Sequence, residues 1–468
     1  MKMDYRKLLG NVSEKALEFL VSLEKRHVGA TASVEQLRSI LYEDTPREGQ
    51  DPIQVLDEMK DRLDSGLIAC AGPRYFGFVT GGSVPASLGA DMLTSMWDQN
   101  GMFSSSSPAA GVVEEVVSSW ILDLLDLPGK ATLGFVTGCQ MANFTCLAAA
   151  RHEVLRQVGW NVEQRGLFGA PPVTILVGEE AHATVFTALR MLGMGTDYIR
   201  IIPADSQGRM IPSEVEGALE ECSGPRILCV QAGNVNTGGF DPFNIIIPKA
   251  TEHGAWVHLD GAFGLWARLS PDLSEETAGM ELADSWATDA HKWLNVPYDS
   301  GIAIVRHEAA HRASMALKGP YYIAGGEEIR DPSHWVPESS RRARGFALYA
   351  CIKSLGREGL RQLVENNCRQ ARMMAELLEE DPAIEILNEV VLNQVLVRFI
   401  SGGTRDADSF TRKVTRMIQE EGTCWAGGSS WKGMSVMRIS VSNWSTTDED
   451  IRLSARAIRE VLKKACDQ

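Results

Sequence analysis

Trp256-Val257-His258-Leu259-Asp260-Gly261-Ala262-Phe263-Gly264 is the stretch that decides the fold of this chain. Its first four residues read as a short buried strand, and the strand closes on a carboxylate followed by small residues. A carboxylate at the end of a buried strand is costly unless something pairs with it. A helix cap would satisfy Asp260, and so would a protonated ring nitrogen. Outward from this stretch, similar apolar runs recur at Leu133–Val136, Val173–Val177, Tyr198–Ile202, Ile227–Val230 and Gly301–Val305. Helix-like segments lie between them: Met141–Val158, Thr184–Leu192 and Pro212–Cys222. Apolar strands separated by helices predict an α/β fold, a mostly parallel sheet covered on both faces. Ligands in such sheets bind beyond the carboxyl ends of the strands, so the loops after these strands carry the most weight.

The flanks differ. Residues 1–70 read as helical, with apolar residues at helical spacing in Ala16, Phe19, Leu20 and Leu23, and again in Val55, Leu56, Met59 and Leu63. Beyond about 340 a helix is expected over Ala347–Leu378, then strand-like runs at Glu389–Phe399 and Met434–Val441, then a final helix. The expected organisation is therefore an N-terminal helical segment (1–70), a large α/β domain (71–340) and a smaller α+β domain (341–468). The 468 residues carry a formal charge of −15, which argues against a general nucleic-acid or anionic-membrane surface. The first twenty residues lack the apolar core of a signal peptide, and no apolar run is long enough to cross a bilayer. The nine cysteines are scattered and never form C-x-x-C, which fits reduced thiols and a cytoplasmic protein.

Four features fall at predicted strand ends. Thr137-Gly138-Cys139-Gln140 follows a strand and opens a helix, so its free backbone N–H groups suit a phosphate; a plain tight turn is the alternative. His182 follows another strand in Gly178-Glu179-Glu180-Ala181-His182, where it is a helix cap, a core residue or a cofactor contact. Asp260 is the third. Lys292, in Thr288-Asp289-Ala290-His291-Lys292-Trp293, follows a short strand and is bracketed by two rings. Desolvation there is expected to favour its neutral amine, the form that attacks an aldehyde. Together the four supply what pyridoxal phosphate (PLP) chemistry needs: a phosphate cradle, a ring-facing aromatic, an acid beside the pyridine nitrogen and an amine for the aldehyde.

These residues resemble the group II PLP-dependent amino-acid decarboxylases, the family of aromatic-amino-acid and glutamate decarboxylases, over about residues 60–380. Glu180-Ala181-His182 is similar to the family's ring-stacking histidine. His258-Leu259-Asp260-Gly261-Ala262 is similar to its H-x-D-x-A strand, and Ala290-His291-Lys292-Trp293 to its H-K-W signature. Gly233-Asn234 stands where the family has a Gly-Thr that contacts the cofactor, and Pro73–Pro85 resembles its substrate-side loop. The resemblance implies a type I PLP (aspartate-aminotransferase-like) fold, with Lys292 as the Schiff-base lysine, Asp260 on the pyridine nitrogen and His182 on the ring face. It implies cofactor contacts from Gly138, Cys139, Gln140, Asn234, Ala262 and His291. It also implies a homodimer with active sites at the interface, to which Phe103 and its neighbouring serines would contribute. The expected reaction is decarboxylation of an L-amino acid to an amine and CO2; Phe76, Phe78, Thr80 and nearby Trp97 mildly favour an aromatic or apolar side chain, with Phe76 and Phe78 as plain core residues the alternative.

One departure bears on the product. The family's loop tyrosine aligns with Pro332 in Asp331-Pro332-Ser333-His334-Trp335. Tyr321, Tyr322, His334 or His182 would then have to return the proton, or the reaction becomes oxidative decarboxylation to an aldehyde. Aminotransferase or carbon–carbon lyase chemistry shares the fold, with Arg438 as a conceivable carboxylate grip and a strand-surface or domain-packing residue as its plainer reading. Last, His307-Glu308-Ala309-Ala310-His311 spells H-E-x-x-H, the pattern of a helical zinc site. It is better read as a solvated helix, and no metal is expected.

Overall fold

The computed structural model describes residues 4–317, 330–400 and 406–467. The six apolar runs of the middle of the chain become β1 (Thr132–Val136), β2 (Thr174–Gly178), β3 (Ile199–Ile202), β4 (Arg226–Gln231), β5 (Trp256–Asp260) and β7 (Gly301–Val305), and the short strand expected before Lys292 is β6 (Ser285–Asp289). They form one sheet in the order β1-β7-β6-β5-β4-β2-β3. Strands β3, β2, β4, β5 and β6 run parallel, and β7 runs antiparallel between β6 and β1. The carboxyl ends of β1, β2, β4, β5 and β6 therefore share one edge, and β7 begins at that same edge. Every residue of β5, β6 and β7 is buried, as strands covered on both faces require.

The helix Cys139–Gln157 lies on this sheet. Its inward residues, Ala142, Cys146, Leu147, Ala149 and Ala150, are almost all small, which lets the helix sit close against Ile175, Val177, Trp256, Ala287 and Ala303. The core gathers there. Cys146 Sγ reaches the carbonyl of Trp286 at 3.3 Å, spending its weak donor on strand β6.

By packing, the chain divides into two compact units. One comprises Gly81–Arg372 and Leu387–Leu396, and the other comprises Met1–Thr80, Met373–Ile386 and Val397–Gln468. A second sheet joins β8 (Ile384–Ile386), β9 (Gln394–Phe399), β10 (Gly427–Trp431) and β11 (Met434–Ser440) in the order β10-β11-β9-β8. The last helix, Asp448–Cys466, starts on a Thr447/Asp450 capping box and carries Lys463 and Lys464 in its final turn, matching the helix dipole at both ends. The N-terminal helices Tyr5–Ser22, Val34–Leu41 and Pro52–Leu63 begin on Asp4, Ser33 and Asp51 caps, yet none of the three has a buried residue. Among the described residues no helix is long and apolar enough to cross a membrane.

Candidate active site

The strand register brings the site together. Gly301, at the start of β7, pairs with Val136 on one side and with Asp289 on the other. That places the turn after β1 beside the turn after β6. A Cβ on Gly301 would lie 2.4–2.6 Å from the Gly138 backbone, so only glycine allows this approach. A Cβ on Gly138 would in turn meet His291 Cε1 at 3.2 Å and Asp289 Oδ1 at 3.6 Å. Gly138 is the N-cap of the helix Cys139–Gln157 and offers no side chain, so it gives the first N–H groups of that helix no side-chain cap.

Asp260 is 4 % exposed, and both of its oxygens act as acceptors. Oδ1 accepts from the Ala262 amide at 3.2 Å and from Cys139 Sγ at 3.4 Å, and Oδ2 accepts from Asn143 Nδ2 at 3.2 Å. Cys139 and Asn143 stand four apart on one helix face, which is why both reach the same carboxylate. Behind Asn143 runs a buried relay. His258 Nε2 donates to Asn143 Oδ1 at 2.9 Å, Ser285 Oγ donates to His258 Nδ1 at 3.0 Å, and Trp256 Nε1 donates to Ser285 Oγ at 2.9 Å. Burial pushes His258 down to about 4, so it is neutral in this relay.

His182 caps the helix Ala183–Met191, its Nδ1 accepting from Thr184 Oγ1 at 2.8 Å. Thr184 Oγ1 also receives Asn143 Nδ2 at 3.4 Å, so Asn143 ties the His182 turn to Asp260. The His182 ring is exposed. Asn234 is 1 % exposed and spends its side chain locally. Its Oδ1 accepts from the amides of Asn236 and Thr237, and its Nδ2 holds the Glu180 carbonyl at 3.1 Å. It acts on the His182 turn from behind.

Lys292 Nζ lies 3.1 Å from Asp289 Oδ2. The expectation of a neutral amine is corrected here. Burial alone lowers Lys292, but the charges of Asp289 and Asp260, with Cys139 close by, outweigh it and raise the amine above its ordinary value. His291 behaves differently. Its Nδ1 accepts the Ser300 amide at 3.0 Å and its ring stacks on Tyr298, with centroids 4.3 Å apart, while burial lowers it. Two buried oxygens in this turn have no hydrogen-bond partner among the described residues, Asp289 Oδ1 and Ser300 Oγ. The substrate-side loop touches the same turn, since a Cβ on Gly81 would lie 2.3 Å from the Lys292 carbonyl. Gln140 is exposed at the head of its helix and leans on Met191 Sδ at 3.9 Å.

The other candidates have these surroundings. Phe76 is 1 % exposed and pinned through its backbone by Trp425 and Ser440, so it serves packing in its own unit and does not present its ring. Phe78 is 61 % exposed and leans on Trp425; Thr80 is buried. Trp97 packs edge-on against Phe346. Phe103 is half-buried, and the adjacent Ser104 is fastened to Arg330 and Asp331. Tyr321 and Tyr322 lie outside the described residues. His334 lines a cleft with Glu115, Glu308, Arg312 and Arg330. Arg438 sits on β11 opposite Gly427.

The zinc reading fails on geometry, and so does the solvated-helix account of the same motif. His311 is fully buried, with Nδ1 on Thr132 Oγ1 at 2.8 Å and Nε2 on the Trp335 carbonyl at 3.0 Å. His307 is turned to Asp284. Among the described residues no group of His, Cys, Asp and Glu is arranged to hold a metal.

Sequence reasoning passed over Asn143, Ser285, Asp289 and Ser300. Asn143 had a signal, its spacing of four from Cys139. Asp289 had one too, three residues before Lys292 at a strand end.

Residues 35–400 match the family model described as the pyridoxal-dependent decarboxylase conserved domain. The aromatic-L-amino-acid decarboxylase of Bacillus atrophaeus is 26% identical over 459 residues, covering 95% of this chain and 93% of that protein. A phenylacetaldehyde synthase of Arabidopsis thaliana is 23% identical over 441 residues, covering 91% and 89%. The crystal structure of Oryza sativa TDC with PLP and tryptamine superposes with a TM-score of 0.91 at 22% identity over 98% of both chains, a likeness of fold. With the match spanning most of the sequence and the strand-end residues assembled as described, this chain belongs to the pyridoxal-dependent decarboxylase family and is a PLP-dependent amino-acid carboxy-lyase of the type I fold.

Proposed function

We propose that the chain decarboxylates an aromatic or apolar L-amino acid to its amine, with the cofactor held on Lys292. The observation that carries this reading is the convergence of Lys292, Asp260 and the uncapped Gly138–Cys139 helix end on one sheet edge. The residues fit a phosphorylated aromatic aldehyde. A helix N-terminus and the unpartnered Ser300 hydroxyl suit the phosphate, a buried carboxylate suits the ring nitrogen, and an amine suits the aldehyde. Lys292 would bind the aldehyde carbon, Asp260 would face the ring nitrogen and His182 would cover one ring face. Ala262 and His291 would line the same space, with Gln140 at the phosphate end. Asn234 would act through the His182 turn.

When bound, PLP supplies an electron sink for the pair left as CO2 departs. The protein's own part is orientation and charge. Cys139, the Ala262 amide and Asn143 fix the direction of Asp260, and His258 fixes Asn143. Fully buried Trp293 and nearly buried Phe263 keep water from the inner side of the lysine turn. Residues 71–340 would contain the cofactor-binding domain.

The substrate class is supported by the aromatic-acid relatives. A homodimer is supported by the N-terminal segment, where Leu17, Val21, Val34 and Tyr42 are exposed apolar residues among the described ones. A cytoplasmic site is supported by nine free cysteines, seven of them buried. The test is a panel of L-amino acids assayed for CO2, amine, aldehyde and peroxide. Amine equal to CO2 from an aromatic acid is the expected result. Aldehyde with peroxide would replace the amine reading with oxidative decarboxylation, and keto acid without CO2 would overturn both.

A further inference from the structure

Ten residues of the late chain, Leu387–Leu396, pack with the unit that holds the large sheet, while the stretches on either side belong to the other unit. They form a strap against the turn Asn234–Gly239, and its Asn388, Leu392, Asn393 and Gln394 are all buried. Gly238, at φ +78°, permits this approach, since a Cβ there would lie 3.1 Å from Leu392 Cβ. Amides fasten the strap. Asn388 Nδ2 donates to the Thr237 carbonyl at 2.9 Å and to the Gln394 carbonyl at 3.0 Å, and Asn388 Oδ1 accepts the Leu396 amide at 2.9 Å. The Glu389 amide donates to Gln207 Oε1 at 2.9 Å, and Thr237 Oγ1 donates to the Gln207 carbonyl at 2.6 Å. Asn234 continues the run on the far side of Thr237. The Thr237 amide donates to Asn234 Oδ1 at 3.1 Å, and Asn234 Nδ2 donates to the carbonyl of Glu180, two residues before His182. Buried hydrogen bonds thus lead without a break from Asn388 through Thr237 and Asn234 to the His182 turn. A buried polar group left unmade is costly, so each member of the run fixes the next.

We infer that Asn388 is a positioning residue for His182: the strap fixes the Asn234 turn and, through the Glu180 carbonyl, sets where the His182 ring stands. The inference rests on the reading of His182 as the residue that covers one face of the cofactor ring. That ring is exposed, and the Thr184 hydroxyl bonded to its Nδ1 belongs to the same turn, so this bond moves with the turn and does not anchor it. Anchorage comes from farther off. Asn143 reaches the turn through Thr184, and Asn234 reaches it through Glu180. Asn234 is 1 % exposed and commits both ends of its amide within the protein, so what it transmits is position. A displacement of about 1 Å in a group that orients reactants can lower a rate by up to about 10^2-fold, which gives the strap leverage on turnover without any contact with substrate.

The experiment compares the full-length wild type with Asn388→Asp, Thr237→Val and Thr237→Ser. Asn388→Asp keeps the size and the acceptor for the Leu396 amide but sets an oxygen against the Thr237 carbonyl. Thr237→Val removes the hydroxyl that donates to Gln207, and Thr237→Ser keeps it. The first readout needs no cofactor. Amide hydrogen exchange in the peptide spanning Gly178–Val185 should rise about tenfold in Asn388→Asp and Thr237→Val and stay near wild type in Thr237→Ser, with the helix Cys139–Gln157 unchanged in all. With PLP added, the visible circular dichroism of the bound cofactor should change in the first two variants, and kcat should fall about tenfold with KM nearly constant. His182→Ala keeps the two claims separate. If His182→Ala retains wild-type dichroism and kcat, the reading of His182 on which the inference rests is lost. If His182→Ala alters both while Asn388→Asp matches wild type in exchange, dichroism and kcat, the strap has no hold on the turn and the inference is overturned. Exchange that rises equally in every peptide would also overturn it, leaving Asn388 a general packing residue.

Discussion

Asp260 and Asp289 end neighbouring strands and are used in opposite ways. Each is buried, each sits at the carboxyl edge of the sheet, and each is within electrostatic reach of Cys139 and Lys292. Asp260 has both oxygens held by protein donors, backed by a relay that runs through Asn143, His258 and Ser285 to Trp256. Asp289 has one oxygen 3.1 Å from Lys292 Nζ, and the other, without a hydrogen bond among the described residues, stands 3.5 Å from His291 Nε2. A buried polar atom left without a partner is costly, so it marks a place where the protein is built for an occupant or a change of state. The fully bonded carboxylate is a fixed post, and the half-bonded one keeps an oxygen open on the lysine turn.

The largest expected effect falls on the lysine turn. Lys292→Ala should lower kcat/KM for CO2 release by about 10^4-fold, the range for loss of a central acid–base group. A loss under tenfold would remove Lys292 from the chemistry. Asp260→Asn should cost about 10^2–10^3-fold, as removal of a preorganised electrostatic partner does; near-normal turnover would show that the post is structural only. Asn143→Ala strips one acceptor's partner from Asp260 and one from His258. At about 2 kcal/mol for a buried charged hydrogen bond, turnover should fall about 30-fold while the cofactor still binds. If Asn143→Ala matched wild type, the relay would have no bearing on catalysis.

The smallest effect is on stability and concerns the neutral histidine in the relay. His258 is lowered to about 4 in the folded protein, so the unfolded chain binds its proton more readily. The stability it contributes is fully present above about pH 6.5 and is lost as pH falls through about 4, roughly 3 kcal/mol in total. Denaturant unfolding across that window should show a shallower loss in His258→Gln than in wild type. Identical slopes would mean that the relay carries a proton after all.

Much of the fold was legible before any coordinates. Runs that are apolar throughout, such as Gly301–Val305, have few alternatives in a chain of alternating strands and helices, and they appear where expected. The strands that escaped are those whose stability is not written in apolarity. Gly427–Trp431 is mostly Gly and Ser and becomes a strand by pairing with Met434–Ser440. Ile384–Ile386 is three residues long and owes its place to Val397–Phe399. The site divides the same way. Lys292, Asp260 and Gly138 were legible as candidates because they stand together at predicted strand ends, although a tight turn accounts for Gly138 and a helix cap for Asp260 when each is taken alone. Asn143 and Ser285 act only through partners more than a hundred residues away in the chain, which no local pattern reveals. His311 misled in the other direction. Its spacing suits zinc, but the hydroxyl of Thr132 and the carbonyl of Trp335 claim both ring nitrogens. The lysine's charge was misjudged because desolvation was weighed without Asp289, a residue three positions away.

The most direct measurement is reduction of the purified, PLP-loaded protein with borohydride, followed by peptide mapping. The cofactor mass should appear on the single peptide that contains Lys292, with the visible absorbance lost in step. Its appearance on any other lysine, or its absence from the whole map, would contradict the assignment of this strand-end amine.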